Sequence, residues 1–127
     1  MGTMFRENIQ RLIDKLDGGI AGVLMGFDGI PVDSYAKSGF GDSLPDIQTL
    51  AAEFAHLVSQ ARRTVQSLDA GALAEVTIRT DTVTLVITVL TQEYFLACAM
   101  LPTAIVGKAR YLVKIAAHFL TNQPQRQ

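Results

Sequence analysis

The chain has 127 residues, of which 49% are hydrophobic and 18% are charged, and its formal net charge is −1. This length and composition predict one globular domain, residues 1–127, with enough apolar side chains to fill a core. The near-neutral charge argues against a basic surface for nucleic acid or anionic lipid, so we expect neither nucleic-acid binding nor membrane insertion.

The first two elements are an amphipathic helix and a buried strand. Apolar residues recur at helical spacing from Phe5 to Leu16, and Gly18-Gly19 is expected to end the helix. From Ile20 to Phe27, apolar residues occur at both odd-numbered and even-numbered positions. That pattern is typical of a central strand that is covered on both faces of its sheet.

A hairpin is predicted next. Asp28-Gly29 is the dipeptide best suited to a two-residue type I′ turn, in which both central residues have positive φ. The second strand, Ile30 to Tyr35, contains Pro31, which has no N–H to donate to a neighbouring strand. We therefore expect the second strand at an edge of the sheet.

The rest of the chain predicts a loop, a helix, three strands and a last helix. Short connections between the three strands make them antiparallel neighbours. Pro45 suits the first turn of the central helix. The predicted bounds are Lys37–Leu44 for the loop, Leu44–Leu68 for the central helix, Leu73–Arg79, Thr82–Leu90 and Tyr94–Leu101 for the strands, Ile105–Leu120 for the last helix and Thr121–Gln127 for a polar tail.

The predicted order is α-β-β-α-β-β-β-α, with a domain core from about residue 5 to residue 120. Five strands with one helix on one face and two on the other form an α+β fold, a three-layer α/β/α sandwich around an antiparallel sheet. Gly107 lies within the last helix, where glycine is unfavourable, and this position indicates close packing there.

The sequence contains no recognisable set of catalytic, metal or cofactor residues. The glycines of residues 18–22 precede a strand, whereas those of a dinucleotide site follow one, and Val106-Gly107-Lys108 lacks the other residues of a phosphate loop. His56 and His118 lie on different predicted helices, and Cys98 lies in an apolar strand where a buried thiol is inert. We expect a protein that is not an enzyme and needs neither cofactor nor metal.

Three features predict a cytoplasmic location. The single cysteine, Cys98, excludes a disulfide framework and fits a reducing compartment. Residues 1–17 are amphipathic and interrupted by charges, unlike a signal peptide. The longest apolar runs, such as Tyr94 to Pro102, are too short to span a bilayer.

Several motifs together resemble the Roadblock/dynein light-chain family. They are GVLMGFDGIPVDS after the first helix, Tyr94-Phe95-Leu96 at the start of the last strand, and Gly107-Lys108-Ala109-Arg110-Tyr111 followed by Lys114 in the last helix. The resemblance covers about Phe5 to Leu120 and is greatest to the short bacterial members of the gliding-motility polarity module, of the Mgl type.

The resemblance implies a homodimer that regulates or scaffolds a Ras-like GTPase and has no active site of its own. Two functions stay open. One is a non-catalytic adaptor that joins another Roadblock-type protein or a polarity protein to the GTPase system. The other is a direct regulator that promotes GTP hydrolysis or nucleotide exchange. Direct regulators of this family tend to carry acidic C-terminal extensions, and the residues after Leu120 are not acidic, which favours the adaptor.

The strand from Leu73 to Arg79 is the expected dimer edge, since the family topology places it opposite the proline-bearing strand. It contains no proline, and an unprotected edge favours pairing with a second copy. Glu75 and Arg79 are spaced to form ion pairs across a two-fold axis. The predicted interface residues of this strand are Glu75, Val76, Thr77 and Arg79.

The central helix is a second candidate interface. Ala51 and Ala55 are small enough to let the helix of a second copy approach closely, although alanine is also simply a good helix former. His56, Ser59 and Arg63 lie on another face. In the family the paired central helices form a platform for a partner, whereas in an ordinary domain such a face is only solvated.

The hairpin tip is the third candidate. Phe27 and Ile30 are bulky apolar residues on either side of the turn, and Asp28 can accept charge-assisted hydrogen bonds from a partner protein. The alternative is that Phe27 folds back onto the first or third helix as part of the core. Phe40 is a further aromatic in the predicted loop, for which we favour packing over the start of the central helix.

Overall fold

The computed structural model describes residues 2–37 and 46–121, with side chains from Phe5 onward. The predicted element order is confirmed. The elements are α1 (Gly2–Lys15), β1 (Gly19–Gly26), β2 (Pro31–Ala36), α2 (Ile47–Ser67), β3 (Glu75–Arg79), β4 (Thr84–Val89), β5 (Tyr94–Met100) and α3 (Val106–Thr121). Thr121 is therefore the last residue of α3 and not the first residue of the predicted tail. Phe40, Pro45 and the tail after Thr121 lie outside the described residues.

The five strands form one antiparallel sheet in the order β2-β1-β5-β4-β3. The two edge strands are therefore the predicted ones. Pro31 lies opposite Met25 in β1, next to a shift of register after Leu24. A residue without an N–H is tolerated there because the edge and the irregularity both reduce the hydrogen bonds that the position must make.

Strand β1 is covered on both faces, as its pattern predicts, and every one of its eight residues is buried. Two hydrophobic clusters lie on opposite sides of the sheet. One packs β1, β4 and β5 against α2, and the other packs the same strands against α1 and α3. The three-layer α+β sandwich is therefore confirmed.

Helix α1 approaches β1 closely at Gly22. A Cβ atom on this residue would lie 2.9 Å from Cγ2 of Ile9 and 3.3 Å from Cδ1 of Ile13. Glycine is required because both isoleucines are fully buried and have little room to move. Gly107 differs, since a Cβ atom there would meet nothing within 4 Å. The close packing predicted at Gly107 was wrong.

Helix α2 begins after Asp46, whose side chain accepts a hydrogen bond from the N–H of Thr49 at 3.3 Å. Its buried face consists of Ile47, Ala51, Ala55 and Val58. Ala51 and Ala55 are 0% and 3% exposed because they contact the sheet of their own chain. The prediction that these alanines contact the helix of a second copy was therefore wrong, since their methyl groups are already covered.

We predict that Gly22→Ala lowers the free energy of unfolding by about 1 to 3 kcal/mol, because Ile9 must shift to admit the new methyl group. Gly107→Ala makes the same chemical change in open space and should raise it by up to about 1 kcal/mol. Urea unfolding of both variants measures the difference. Equal shifts of the same sign would contradict the packing described for α1.

Candidate functional site

The hairpin tip is a three-residue loop, Phe27 to Gly29, and not the predicted two-residue turn. The N–H of Gly29 donates to the carbonyl of Gly26 at 2.9 Å, and the N–H of Gly26 donates to the carbonyl of Ile30 at 3.0 Å. Gly29 has a φ of 87°, whereas Asp28 has no positive φ. This is the pattern of a β-turn followed by a left-handed glycine, so the type I′ prediction was wrong.

Asp28 and Ile30 form the outer surface of the tip. Oδ1 of Asp28 accepts a hydrogen bond from the N–H of Ile30 at 3.0 Å, which holds the carboxylate over the turn. A Cβ atom at Gly26 would lie 2.6 Å from the same oxygen. Ile30 is 64% exposed. The tip therefore presents one apolar group and one carboxylate to solvent.

Phe27 is half-buried and packs inward. Its ring centroid lies 5.1 Å from that of Phe95, with the planes at 58°. The guanidinium carbon of Arg62 in α2 lies 4.0 Å from the centroid of Phe27. Phe27 thus contacts the α2 side of the sheet, whereas the sequence considered packing on the first or third helix. Most of the apolar surface that the tip offers to a partner belongs to Ile30.

The predicted platform residues lie on the solvent side of α2. His56 and Arg63 are exposed, and Ser59 is half-buried. Leu57 is 47% exposed and adds an apolar group to this helix surface. The surface is weakly charged and only slightly apolar, which suits an adaptable contact better than a deep binding pocket.

The charged side chains of strand β3 are used within the protomer. Nε of Arg110 donates to both carboxylate oxygens of Glu75 at 2.8 and 2.9 Å, and the hydroxyl of Thr77 donates to Oε2 of Glu75 at 2.9 Å. Nη2 of Arg79 donates to the carbonyl of Pro102 at 2.8 Å. These bonds compete with the predicted ion pairs between Glu75 and Arg79 across a two-fold axis.

The backbone of β3 is paired on one side only. In the described part of the chain, β3 pairs with β4 and with no other strand. The N–H of Val89 bonds to the carbonyl of Ala74, and the N–H of Thr80 bonds to the carbonyl of Val83. Because antiparallel bonding alternates along a strand, Val76 bonds to β4, and the N–H groups of Glu75, Thr77 and Arg79 point to the open edge.

The described residues contain neither a reactive cysteine nor a cluster of metal-ligating side chains. Burial raises the pKa of the Cys98 thiol to about 12, so the reactive thiolate does not form near neutral pH. Residues 2–37 and 46–121 contain no group of three or more histidine, cysteine or acidic residues that could hold a metal ion. The described helices also include none long and apolar enough to cross a membrane.

Comparison with known proteins identifies the family. A family model of the Roadblock/LC7 domain matches residues 6–99. The chain belongs to the Roadblock/LC7 family. No curated protein sequence matched it significantly.

Three solved structures are similar to nearly the whole chain. MglC from Myxococcus xanthus is 30% identical, with a TM-score of 0.63 and coverage of 91% of this chain and 94% of that one. The gliding protein MglB from Thermus thermophilus has a TM-score of 0.81 at 17% identity, with 94% and 87% covered. A Roadblock/LC7 domain from Streptomyces avermitilis has a TM-score of 0.78 at 18% identity, with 91% and 92% covered. The two matches at lower identity show the fold alone.

Two contacts of this Roadblock domain were not predicted from the sequence. One is the position of Arg62 over Phe27, and the other is the ion pair of Arg110 with Glu75, whose Nη2 and Oε2 are 2.8 Å apart. Both pairs join elements that are distant in sequence. Helical spacing places Arg62 beside Arg63 but does not show which of the two faces the sheet.

Because of the Glu75–Arg110 ion pair, the free energy of unfolding should depend on pH. The hydrogen bonds from Arg110 hold the pKa of the Glu75 carboxyl below its usual value. This lowered pKa means that the folded state binds a proton less readily than the unfolded state. The stabilisation is therefore fully present above the unfolded pKa of about 4.3 and is lost as pH falls through the folded pKa.

We predict that Glu75→Gln lowers the free energy of unfolding at pH 7 by up to about 1 kcal/mol, the range of partly exposed ion pairs. The difference from the wild type should shrink as the pH falls below about 4, because the wild-type carboxyl is then protonated too. Denaturant titrations at pH 7 and pH 3 measure it. Glu53→Gln, at an exposed position of α2, is the control, and a difference between wild type and Glu75→Gln that does not depend on pH would contradict the assignment.

Proposed function

We propose that this protein is a non-catalytic homodimeric adaptor or regulator in a Ras-like small-GTPase system of cell polarity or motility. It binds another Roadblock-type protein or a polarity protein and acts in the cytoplasm. Membership of the Roadblock/LC7 family, together with 30% identity to MglC over nearly the whole chain, is the observation that carries the proposal. The open edge of β3 and the exposed hairpin tip supply two surfaces that such an adaptor needs.

The β3 edge supports the homodimer. Three N–H groups point outward from a strand that contains no proline, and pairing with the same strand of a second copy would satisfy both backbones at once. Val76 and Ile78 face the α2 side of the sheet and are only partly buried. A second copy would therefore extend the sheet and also cover the apolar side chains beside α2.

The hairpin tip supports the binding of a second protein. It lies at the far side of the sheet from β3, so a partner at Phe27, Asp28 and Ile30 leaves the dimer edge accessible. The exposed side chain of Ile30 beside a carboxylate offers one apolar contact and one charged contact. The α2 surface with His56, Ser59 and Arg63 is the second place for a partner, and it is where we expect the GTPase.

The alternative is direct stimulation of GTP hydrolysis or nucleotide exchange at the paired α2 helices. An arginine supplied to the GTPase would have to be exposed and free to move. Arg62 is held against Phe27 and donates to the carbonyl of Gln92 at 3.1 Å, so it does not fit this role. Arg63 is exposed and remains as the candidate for the alternative. We favour the adaptor.

We predict that the wild-type protein is a dimer at micromolar concentration and that Thr77→Pro is a monomer. Proline at Thr77 removes an outward N–H and blocks the edge, while the bonds to β4 made by residues 74, 76, 78 and 80 are kept. Light scattering of the purified proteins measures the mass. Thr77→Val, which retains the N–H, is the control and should remain dimeric. A folded Thr77→Pro protein that is still dimeric would exclude the β3 edge as the interface.

We predict that Ile30→Ala weakens binding of a second Roadblock-family protein from the same organism by about 1 to 2 kcal/mol, the range for losing an apolar interface contact. Calorimetric titration of the purified partner into each variant measures the affinity. The melting temperature should stay within about one degree, since Ile30 is mostly exposed.

Leu68→Ala is the matched control, because Leu68 is 70% exposed but lies beyond the end of α2. Equal losses of affinity in Ile30→Ala and Leu68→Ala would show that the tip has no specific role. Binding of the purified Ras-like GTPase of the same organism, without binding of the Roadblock-family protein, would favour the alternative function.

A further inference from the structure

The side chain of Arg62 joins three separate segments at one end of the sheet. It starts from α2, its guanidinium lies over the ring of Phe27 in the hairpin tip at 4.0 Å, and its Nη1 donates to the carbonyl of Gln92 at 3.1 Å. Gln92 belongs to the connection between β4 and β5. The N–H of Phe27 donates to the carbonyl of Glu93 in the same connection at 3.1 Å.

These contacts hold Phe27 on two of its sides. The ring packs against Phe95 on the sheet and against the guanidinium on the helix. A cation over the face of an aromatic ring is attracted by the electrons of the ring, and the attraction is stronger where water is partly excluded. Because Arg62 also bonds to Gln92, its guanidinium is fixed relative to the strands and can act as a rigid cover on Phe27.

Phe27 in turn determines the position of the outer residues of the tip. Asp28 follows it directly, and Oδ1 of Asp28 is bonded to the N–H of Ile30. A rotation of the backbone at Phe27 would therefore move the carboxylate and Ile30 together. Fixing these groups before binding reduces the entropy that is lost when a partner docks.

We propose that Arg62 is a positioning residue that holds the hairpin tip in one conformation and thereby sets its affinity for a protein partner. The inference rests on the proposed function, in which the tip binds a second Roadblock-family protein. It also connects the tip to α2, the helix that carries the other surface proposed for a partner.

The first experiment uses the protein alone. Arg62→Met keeps a long apolar side chain but removes the guanidinium, and Arg63→Met makes the same change at the exposed neighbouring residue. Amide hydrogen exchange of Phe27, followed by NMR, should be about tenfold faster in Arg62→Met and unchanged in Arg63→Met. Arg62→Lys retains the cation and should give an intermediate rate.

A spectroscopic signature distinguishes this contact from a general loss of stability. The side-chain protons of Arg62 should resonate upfield in the wild type because of the ring current of Phe27, and Phe27→Leu should abolish the shift. Exchange of buried amides in β5 reports global stability in the same spectra. If the amide of Phe27 exchanges equally fast in the wild type and Arg62→Met, the inference is wrong.

The second experiment measures binding of the purified second Roadblock-family protein. Arg62→Met should weaken it about tenfold, Arg62→Lys less, and Arg11→Met, at an exposed residue of α1 outside both proposed partner surfaces, not at all. In the Ile30→Ala background, Arg62→Met should have a much smaller effect, because its influence passes through the tip. An undiminished effect there would show direct contact with the partner and overturn the positioning role.

The two experiments separate failure of the inference from failure of the proposed function. A looser tip with unchanged affinity would overturn the positioning role while leaving partner binding in place. If the wild type binds no second Roadblock-family protein, the proposed function fails, and with it only the effect of Arg62 on affinity. The exchange rates still decide whether Arg62 holds the tip.

Discussion

The whole fold depends on burying strand β1 on both faces. All eight residues of this strand are buried, so an apolar layer must lie on each side of the sheet. Helix α2 supplies one layer, and α1 with α3 supplies the other. Gly22 permits the close approach of α1, since any side chain there would meet Ile9 and Ile13. With both faces covered, the parts of the sheet left for contacts with other proteins are its edges and its connecting loops.

The two edges differ in how they can be used. At β2, Pro31 and the shift of register near Met25 interrupt the regular hydrogen-bonding pattern that another strand would need. At β3, the side chains of Glu75 and Arg79 are hydrogen-bonded within the protomer. The strand has an unbroken register with β4, so its outward N–H groups are regularly spaced. Backbone pairing is therefore a better basis for self-association at β3 than the ion pairs that the sequence indicated. This asymmetry supports the proposal that β3 forms the dimer and that the hairpin tip binds a different partner.

The architecture could be predicted from the sequence because local residue patterns determine the helices, the strands and their order. The apolar residues on both faces of β1 predicted a central strand, and Pro31 predicted an edge strand. The short strand connections predicted that β3, β4 and β5 are antiparallel neighbours. The contacts of the candidate sites depend instead on tertiary packing. Arg62 and Phe27 meet only because α2 crosses the sheet beside the tip. Ala51 and Ala55 face the sheet, and their small side chains let α2 lie close to it. Helical periodicity alone did not show whether these alanines face the sheet or a second copy.

Amide hydrogen exchange along β3 is the most direct test of the homodimer on which the adaptor account depends. The N–H groups of Glu75, Thr77 and Arg79 point away from β4, so pairing with a second copy is what would protect them. At a protein concentration well above the dissociation constant, the account predicts that these three amides exchange slowly, and that they exchange faster on dilution. The amide of Ala36, which points outward from the other edge, should exchange fast at both concentrations. Fast exchange of Glu75, Thr77 and Arg79 at every concentration would contradict the account.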